Sequence, residues 1–250
     1  MLTSRMLHFE RIGFIDGNHQ MMVRRDANRV LMNVLTSARA YIDQLPQILD
    51  EIFGKENAVA LHSTDLLRKA YDERPGYRIF EALRNHTQHS GFPVHLTSYG
   101  THMIGDYPKL FATKSFSVMT KPQTLAADQK LKASILKELS DMGEQVNLRP
   151  LLCQYIAGIA DAHYYVRSEV TPIVDAASLY LQNRLGEYIA AYPNAGSPFA
   201  YAVHIKDKEW ADRVPLGTGN EKYLEYLRSI NVHLNHADNH FLIGDVPEET

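Results

Sequence analysis

The residues best suited to chemistry lie in one short segment, residues 80–93. Within it, Arg84 precedes His89 by five positions, and the polar Asn85 directly follows the arginine. Histidine titrates near neutral pH and can move a proton, whereas arginine stays protonated and its planar guanidinium matches phosphate oxygens. Together, these residue types could transfer a proton and stabilise negative charge that grows on a phosphate group.

The surroundings of this pair narrow the interpretation. An apolar run leads into Leu83-Arg84-Asn85, a Gly-x-Pro sequence follows at residues 91–93, and a long amphipathic pattern lies upstream, at residues 28–49. The segment resembles the R-x4-6-H motif of the HEPN superfamily (higher eukaryotes and prokaryotes nucleotide-binding domains). The resemblance covers residues 25–95, and it extends more weakly to the helical patterns at 126–191.

HEPN proteins are helical bundles, usually dimeric, and many are metal-independent endoribonucleases of toxin–antitoxin, abortive-infection and other antiviral systems. The resemblance implies that Arg84 and His89 are the catalytic pair and that Asn85 is the polar motif residue. His89 would be the general acid/base, Arg84 the clamp on the transition state, and Asn85 a positioning group. It also implies RNA as the substrate, a homodimer, an antitoxin or defence-system protein as a possible partner, and no cofactor.

His86 lies three residues before His89 and is a possible auxiliary group for proton transfer or phosphate binding. A solvated position on the helix surface is the preferred interpretation of this residue. The spacing of the main pair raises a geometric problem, because five residues separate two side chains by about 140° on an ideal helix. Gly91 and Pro93 predict that the helix ends there, which would let His89 turn back towards Arg84.

Two other hypotheses remain open. A HEPN-like helical module could bind nucleotide, RNA or a protein partner without cleavage. Alternatively, the motif is only a helix end, in which Arg84 satisfies carbonyl groups and His89 suits the helix dipole. A second pair with the same spacing, Arg228 and His233, lacks the Leu-Arg-Asn lead and the Gly-x-Pro end, and we interpret it as a chance copy.

Other candidate sites carry less information. His233, His236 and His240 would share one face of a continuous helix and are weak candidates for metal ligands, although a dimer interface or a solvated face is the preferred interpretation. Cys153 lies in an apolar helical stretch, where a buried, inert thiol is expected. The glycine-rich residues 216–220 lack the lysine–serine pair of a phosphate-binding loop and predict a turn.

Helical periodicity dominates the chain, and the predicted fold class is all-α: a HEPN-like helical bundle with a minor β or irregular insertion. We place one helical domain at residues 1–195, with the insertion at about 94–125, and a helical C-terminal extension at 196–250 that packs on the same domain. The first predicted helix is 26–53, with a kink or restart at Pro46, and the second is 65–72, capped by Ser63-Thr64-Asp65. Pro75 opens the third, which ends within 88–93. The other predicted helices are 126–142, 147–164, 171–191 and 221–239. A short strand or extended arm is expected at 1–22 and a short strand at 199–205.

Composition excludes several classes of protein. The chain has 250 residues, of which 45% are hydrophobic and 22% charged, so wholesale disorder, collagen and coiled-coil fibre are excluded. A net charge of −3 is not that of a basic, non-specific nucleic-acid binder, so RNA contacts must be local or made across an oligomer. The single cysteine favours a reducing, cytoplasmic setting, and we expect neither a signal peptide nor a membrane span.

Overall fold

The computed structural model describes residues 17–104, 111–194, 200–206, 209–216 and 220–230. The elements in these ranges are α1 (Gly17–Phe53), α2 (Ala58–Glu73), α3 (Pro75–His89), β1 (Leu96–Ile104), β2 (Phe111–Thr120), α4 (Pro122–Leu125), α5 (Ala133–Asp141), β3 (Val146–Asn147), α6 (Leu148–Ala191), β4 (Ala200–Lys206), β5 (Glu209–Leu216) and α7 (Asn220–Ile230). The prediction of a mainly all-α fold is confirmed.

Two compact units divide the described residues, one that ends at Ala162 and one that begins at His163. The division therefore falls within α6, whereas the sequence analysis places a boundary at residue 195. The first unit holds α1 to α5, the antiparallel sheet β1-β2-β3 and the start of α6. The second holds the rest of α6, the antiparallel pair β4-β5, and α7, whose Arg228 forms a 2.6 Å ion pair with Asp175 of α6.

The core of the first unit forms around α3. Apolar residues of α3 recur at a helical spacing, and Ile79, Phe80 and Leu83 are fully buried as a result. Phe80 stacks on Tyr155 of α6 with ring centroids 5.6 Å apart, and the Tyr155 hydroxyl donates a hydrogen bond of 3.1 Å to Glu81. These contacts fix the buried face of α3 and leave its other face outward.

A glycine allows the start of α3 to approach α6. A Cβ atom at Gly76 would clash with the backbone oxygen of Leu151 and would lie 2.8 Å from the Cβ atom of Gln154. The N–H group of Gly76 donates a hydrogen bond of 2.8 Å to the Gln154 side chain. Pro75 precedes it at the first helical position, as predicted, because proline lacks only a hydrogen bond that this position does not form.

The structure corrects the predicted starts of the first two helices. Residues 17–22 are helical and belong to α1, so the expected short strand or extended arm is wrong over these residues. The Ser63 cluster does not cap α2: Asn57 does, and its side chain accepts a hydrogen bond of 2.7 Å from the Ala60 N–H group. Ser63 lies inside the helix, where its hydroxyl donates to the Ala60 carbonyl oxygen. Several residue types can cap a helix. The position at which α1 ends determines which of them lies at the start of α2.

Later boundaries also differ from the predictions. Of the predicted helix 126–142, only α5 is helical, and the residues before it, 126–132, form a turn region that follows α4. Helix α6 continues through Pro172, where two helices were predicted. A single proline removes one backbone hydrogen bond, and the rest of the ladder can persist. The strands of the 94–125 insertion and a strand near 199–205 are present, and residues 231–239 of the last predicted helix lie outside the described residues.

Candidate functional site

The motif residues lie on the last two turns of α3. The helix ends at His89, and the N–H group of Ser90 donates a hydrogen bond of 2.8 Å to the His86 carbonyl oxygen. Gly91 follows as predicted, and its N–H group reaches the same oxygen at 3.3 Å. His89 therefore remains in the helix, and the expected turn of this residue back towards Arg84 does not occur.

The Arg84 side chain contacts Asn85. Its Nη1 atom donates a hydrogen bond of 3.0 Å to the side-chain oxygen of Asn85. Asn85 and His89 are both exposed and lie four residues apart, so they share one face of the helix. The guanidinium is thus held at Asn85, on the helix face that also carries His89. The Arg84 Nε atom is buried and has no hydrogen-bond partner among the described residues.

His86 lies on the same turn as Asn85 and His89, and it is buried where they are exposed. Its side chain is 7% exposed, and its Nδ1 atom lies 2.7 Å from the Asp128 carboxylate in the turn region after α4. The interpretation of His86 as a solvated surface residue is therefore wrong. The cover over His86 comes from a residue 42 positions further along the chain, which the helical pattern of α3 cannot reveal.

Asp128 is held as a carboxylate. Hydrogen bonds from His86, from the Lys130 backbone and from the Ser90 side chain lower the pKa of Asp128 from 3.8 to about 2, against the opposing effect of burial. A carboxylate only accepts hydrogen bonds, so His86 Nδ1 carries the hydrogen between the two groups. The other ring nitrogen, Nε2, is left for a further partner, and it lies 3.7 Å from where a Cβ atom of Gly91 would be.

A second imidazole lies nearby, at His95. Its Nδ1 atom accepts a hydrogen bond of 2.9 Å from the Lys121 backbone N–H group, so the hydrogen of the neutral ring is on Nε2. Burial lowers the pKa of His95 below its ordinary 6.5, and the positive charges of His86, Lys121 and Arg24 lower it further. Arg24 of α1 donates a hydrogen bond of 3.2 Å to the His95 carbonyl oxygen.

These groups line an open cleft of about 600 Å³ in the first unit, to which Arg24, His86, Gly91, Phe92, His95 and Asp128 contribute. The Asn28 side chain fixes one wall, because it donates a hydrogen bond to the Val94 carbonyl oxygen at 3.0 Å and accepts one from the Val94 N–H group at 2.9 Å. Arg24, His95 and Asp128 were not predicted from the sequence as site residues. His95 follows the motif closely, and that proximity was the one available signal.

Among the remaining candidates, the described residues include Arg228 and Cys153. His233, His236 and His240 lie outside the described residues, and within the described ranges no cluster of three or more His, Cys, Asp or Glu side chains could hold a metal ion. Arg228 of the second arginine–histidine pair is in the second unit, ion-paired with Asp175. Cys153 is a free, partly buried thiol on α6.

No protein-family model, curated protein or solved structure matches the chain. Membership of the HEPN superfamily therefore stays a prediction from the α3 motif and its helical setting. None of the helices in the described part of the chain has the length and apolar character that crossing a bilayer requires.

Proposed function

We propose that the protein is a metal-independent endoribonuclease of HEPN type, with Arg84, Asn85 and His89 as its catalytic face. The observation that carries the proposal is the hydrogen bond from Arg84 to Asn85, because it holds a guanidinium beside the helix face on which His89 is exposed. A fixed cation and a free imidazole on one open surface are the two groups that cleavage of RNA without metal requires.

The proposed reaction requires no cofactor, because it consists of proton transfers and one exchange of bonds at phosphorus. His89 accepts the proton of a ribose 2′-hydroxyl, whose oxygen attacks the adjacent phosphorus atom. Arg84 stabilises the charge on the phosphorane, and Asn85 holds the guanidinium in place. The bond from phosphorus to the 5′-oxygen then breaks, and this oxygen takes up a proton. The products are a 2′,3′-cyclic phosphate and a 5′-hydroxyl.

We further propose that the active form is a homodimer. Two protons must move on opposite sides of the phosphorus atom, and a second His89 from the partner copy would supply the second acid/base group. Asn85 and His89 are exposed and leave this face open to such pairing. Two copies of Arg84 would also concentrate positive potential locally, in a chain whose net charge is −3.

The proposal is tested by incubating purified protein with mixed RNA in EDTA. Wild type should cleave, whereas Arg84→Ala and His89→Ala should each lose at least about 100-fold in rate, as expected for loss of a general acid/base or a charge-stabilising group. Arg68→Ala and His62→Ala are matched controls, since both residues are exposed on α2, and these variants should cleave like wild type.

Full activity of His89→Ala would refute the assignment of the catalytic face. Loss of wild-type cleavage in EDTA would also contradict it and would direct attention to His233, His236 and His240. If neither wild type nor His89→Ala cleaves but both bind RNA, the non-catalytic binding module becomes the better account. If neither binds RNA, the motif is a helix end.

The biological role that we propose is that of a toxin or defence effector, restrained by a partner protein. Uncontrolled RNA cleavage slows growth, so expression of wild type should reduce the growth rate of a bacterial host, and expression of His89→Ala at the same protein level should not. Equal growth of the two cultures at matched levels would contradict the toxin role and leave the cleavage proposal standing.

A further inference from the structure

We infer that the cleft lined by Arg24, His86 and His95 is a second binding site, which takes the phosphate group of a nucleotide or of an RNA strand. Arg84 and His89 do not line this cleft, so the inference is separate from the proposed catalytic face. It rests on the shape of the cleft, on two imidazoles whose Nδ1 atoms are hydrogen-bonded to other groups of the protein, and on the charge around these rings.

The first argument concerns hydrogen-bond donors. The Lys121 N–H group occupies Nδ1 of His95, so the Nε2–H group of this ring is a donor. Asp128 accepts from Nδ1 of His86, so Nε2 of that ring donates to a bound phosphate only when the ring carries a second proton. Arg24 adds a guanidinium of which one nitrogen is bonded to the His95 carbonyl oxygen. Donors from α1 and from the segment before β1 thus line the cleft, with His86 of α3 beside them, and phosphate oxygens are acceptors only.

The second argument concerns charge. Asp128 carries the one carboxylate among the described residues that line the cleft, and it already accepts hydrogen bonds from His86 and from the Lys130 backbone. These hydrogen bonds occupy the Asp128 oxygens and hold His86 in place. Arg24 and the two imidazoles are then the groups of the cleft that can contact a ligand. The cleft should therefore bind an anion in preference to a metal ion or a cationic ligand.

The third argument concerns access and the rest of the ligand. Gly91 lines the cleft beside His86 Nε2, and the lack of a side chain at this position leaves the nitrogen open to approach. Phe92 also lines the cleft, and its ring is 60% exposed. An exposed aromatic ring beside a phosphate site is suited to stacking on a nucleobase. The class of ligand is therefore a nucleoside phosphate.

The test is a titration of the full-length His89→Ala protein with uridine 3′-monophosphate, followed by NMR of ¹⁵N-labelled histidine rings. This background removes the proposed catalytic imidazole, so the result does not depend on cleavage. The ring signals of His86 and His95 should shift with saturation, and the signal of the exposed His62 should not. Uridine without phosphate should cause little shift, and inorganic phosphate should shift the same two rings more weakly.

Variants make the test specific. Arg24→Ala should weaken binding about tenfold or more, as expected for loss of a charge-assisted hydrogen bond. Its neighbour Arg25 is also exposed on α1 but does not line the cleft, so Arg25→Ala removes the same charge and should leave the affinity nearly unchanged. Gly91→Ala should weaken binding while the His86–Asp128 pair stays intact, because the new methyl group would contact Nε2.

Three results would overturn the inference. One is the absence of any shift in His86 and His95 at saturating nucleotide. Another is an equal effect of Arg24→Ala and Arg25→Ala, which would indicate non-specific attraction of an anion to a basic surface. The third is equal binding of uridine and its phosphate, which would show that the cleft does not recognise the phosphate group. Each of these leaves the endoribonuclease proposal open, because none of them measures cleavage.

Discussion

His86 and His89 lie three residues apart on the last turn of α3, and the protein places them in opposite environments. His86 is buried, and Asp128 fixes the position of its ring hydrogen. His89 is exposed at the helix end, beside the face where Arg84 and Asn85 are hydrogen-bonded. One turn of helix can therefore present one imidazole that is oriented in advance and another that is free to meet a substrate. The difference arises from what packs on each side, because the residue type is the same.

The largest effect is expected from the buried face of the helix. Phe80→Ala should lower the free energy of unfolding by about 3–5 kcal/mol, because it empties a fully buried site that stacks on Tyr155. Asn85→Ala, on the exposed face of the same helix, should change it by no more than about 0.5 kcal/mol. Urea titration of both variants measures the contrast, and similar losses in the two would remove the distinction between the faces.

The second effect concerns chemistry on the exposed face. Arg84→Lys keeps a positive charge but loses the planar fork that donates to Asn85 and that, in the proposed reaction, would also bind phosphate oxygens. The rate of RNA cleavage should fall about 100-fold, as for removal of one donor to a developing negative charge, and the melting temperature should stay close to that of wild type. A lysine variant with the full rate would show that charge alone is sufficient and that the hydrogen bond to Asn85 has no role in catalysis.

The third effect is an acid dependence on the buried side. The folded-state pKa of Asp128 is lowered from 3.8 to about 2, so the contribution of this carboxylate to stability is complete above pH 3.8. It is lost as the pH falls from there to about 2. Asp128→Asn should be less stable than wild type at pH 6, and its stability should fall less steeply between pH 4 and pH 2. Parallel curves for the two proteins over this range would contradict the ion pair with His86.

The smallest effect is expected at an exposed ion pair. Arg68 Nη1 lies 3.0 Å from Asp65 Oδ1 on α2, and both side chains are largely exposed. Arg68→Ala should lower the free energy of unfolding by about 0.5 kcal/mol or less, because water and salt screen such pairs. A clearly larger loss of unfolding free energy, measured by chemical denaturation, would contradict the expectation that exposed ion pairs contribute little to the stability of this protein.

The sequence predicts the parts of this account that depend on neighbouring residues. Pro75 at the start of α3 and Gly91 after its end are local signals, and both are found where the pattern places them. The missed features depend on distant contacts. His86 meets Asp128 at a separation of 42 residues, and Asn28 holds Val94 at a separation of 66. No periodicity within α3 encodes those partners, and so the burial of His86 was not foreseen.

The same distinction explains the cleft and the helix boundaries. Pro172 and Ser63 are residue types that often mark helix boundaries, yet both lie inside helices. Local chemistry permits a helix boundary at either position, but α2 continues through Ser63 and α6 continues through Pro172. His95 carries no motif of its own and becomes notable only because Lys121 and Arg24 reach it from other elements.

The most direct test of the central claim is the chemistry of the RNA ends. A defined RNA should be incubated with wild type in EDTA, beside the same RNA with a 2′-deoxy substitution at the cleaved position. The account predicts 2′,3′-cyclic phosphate and 5′-hydroxyl ends from the first substrate and no cleavage of the second at that position. Ends with a 5′-phosphate, or equal cleavage of the 2′-deoxy substrate, would contradict the assignment of Arg84 and His89 as a pair that acts through the ribose 2′-hydroxyl.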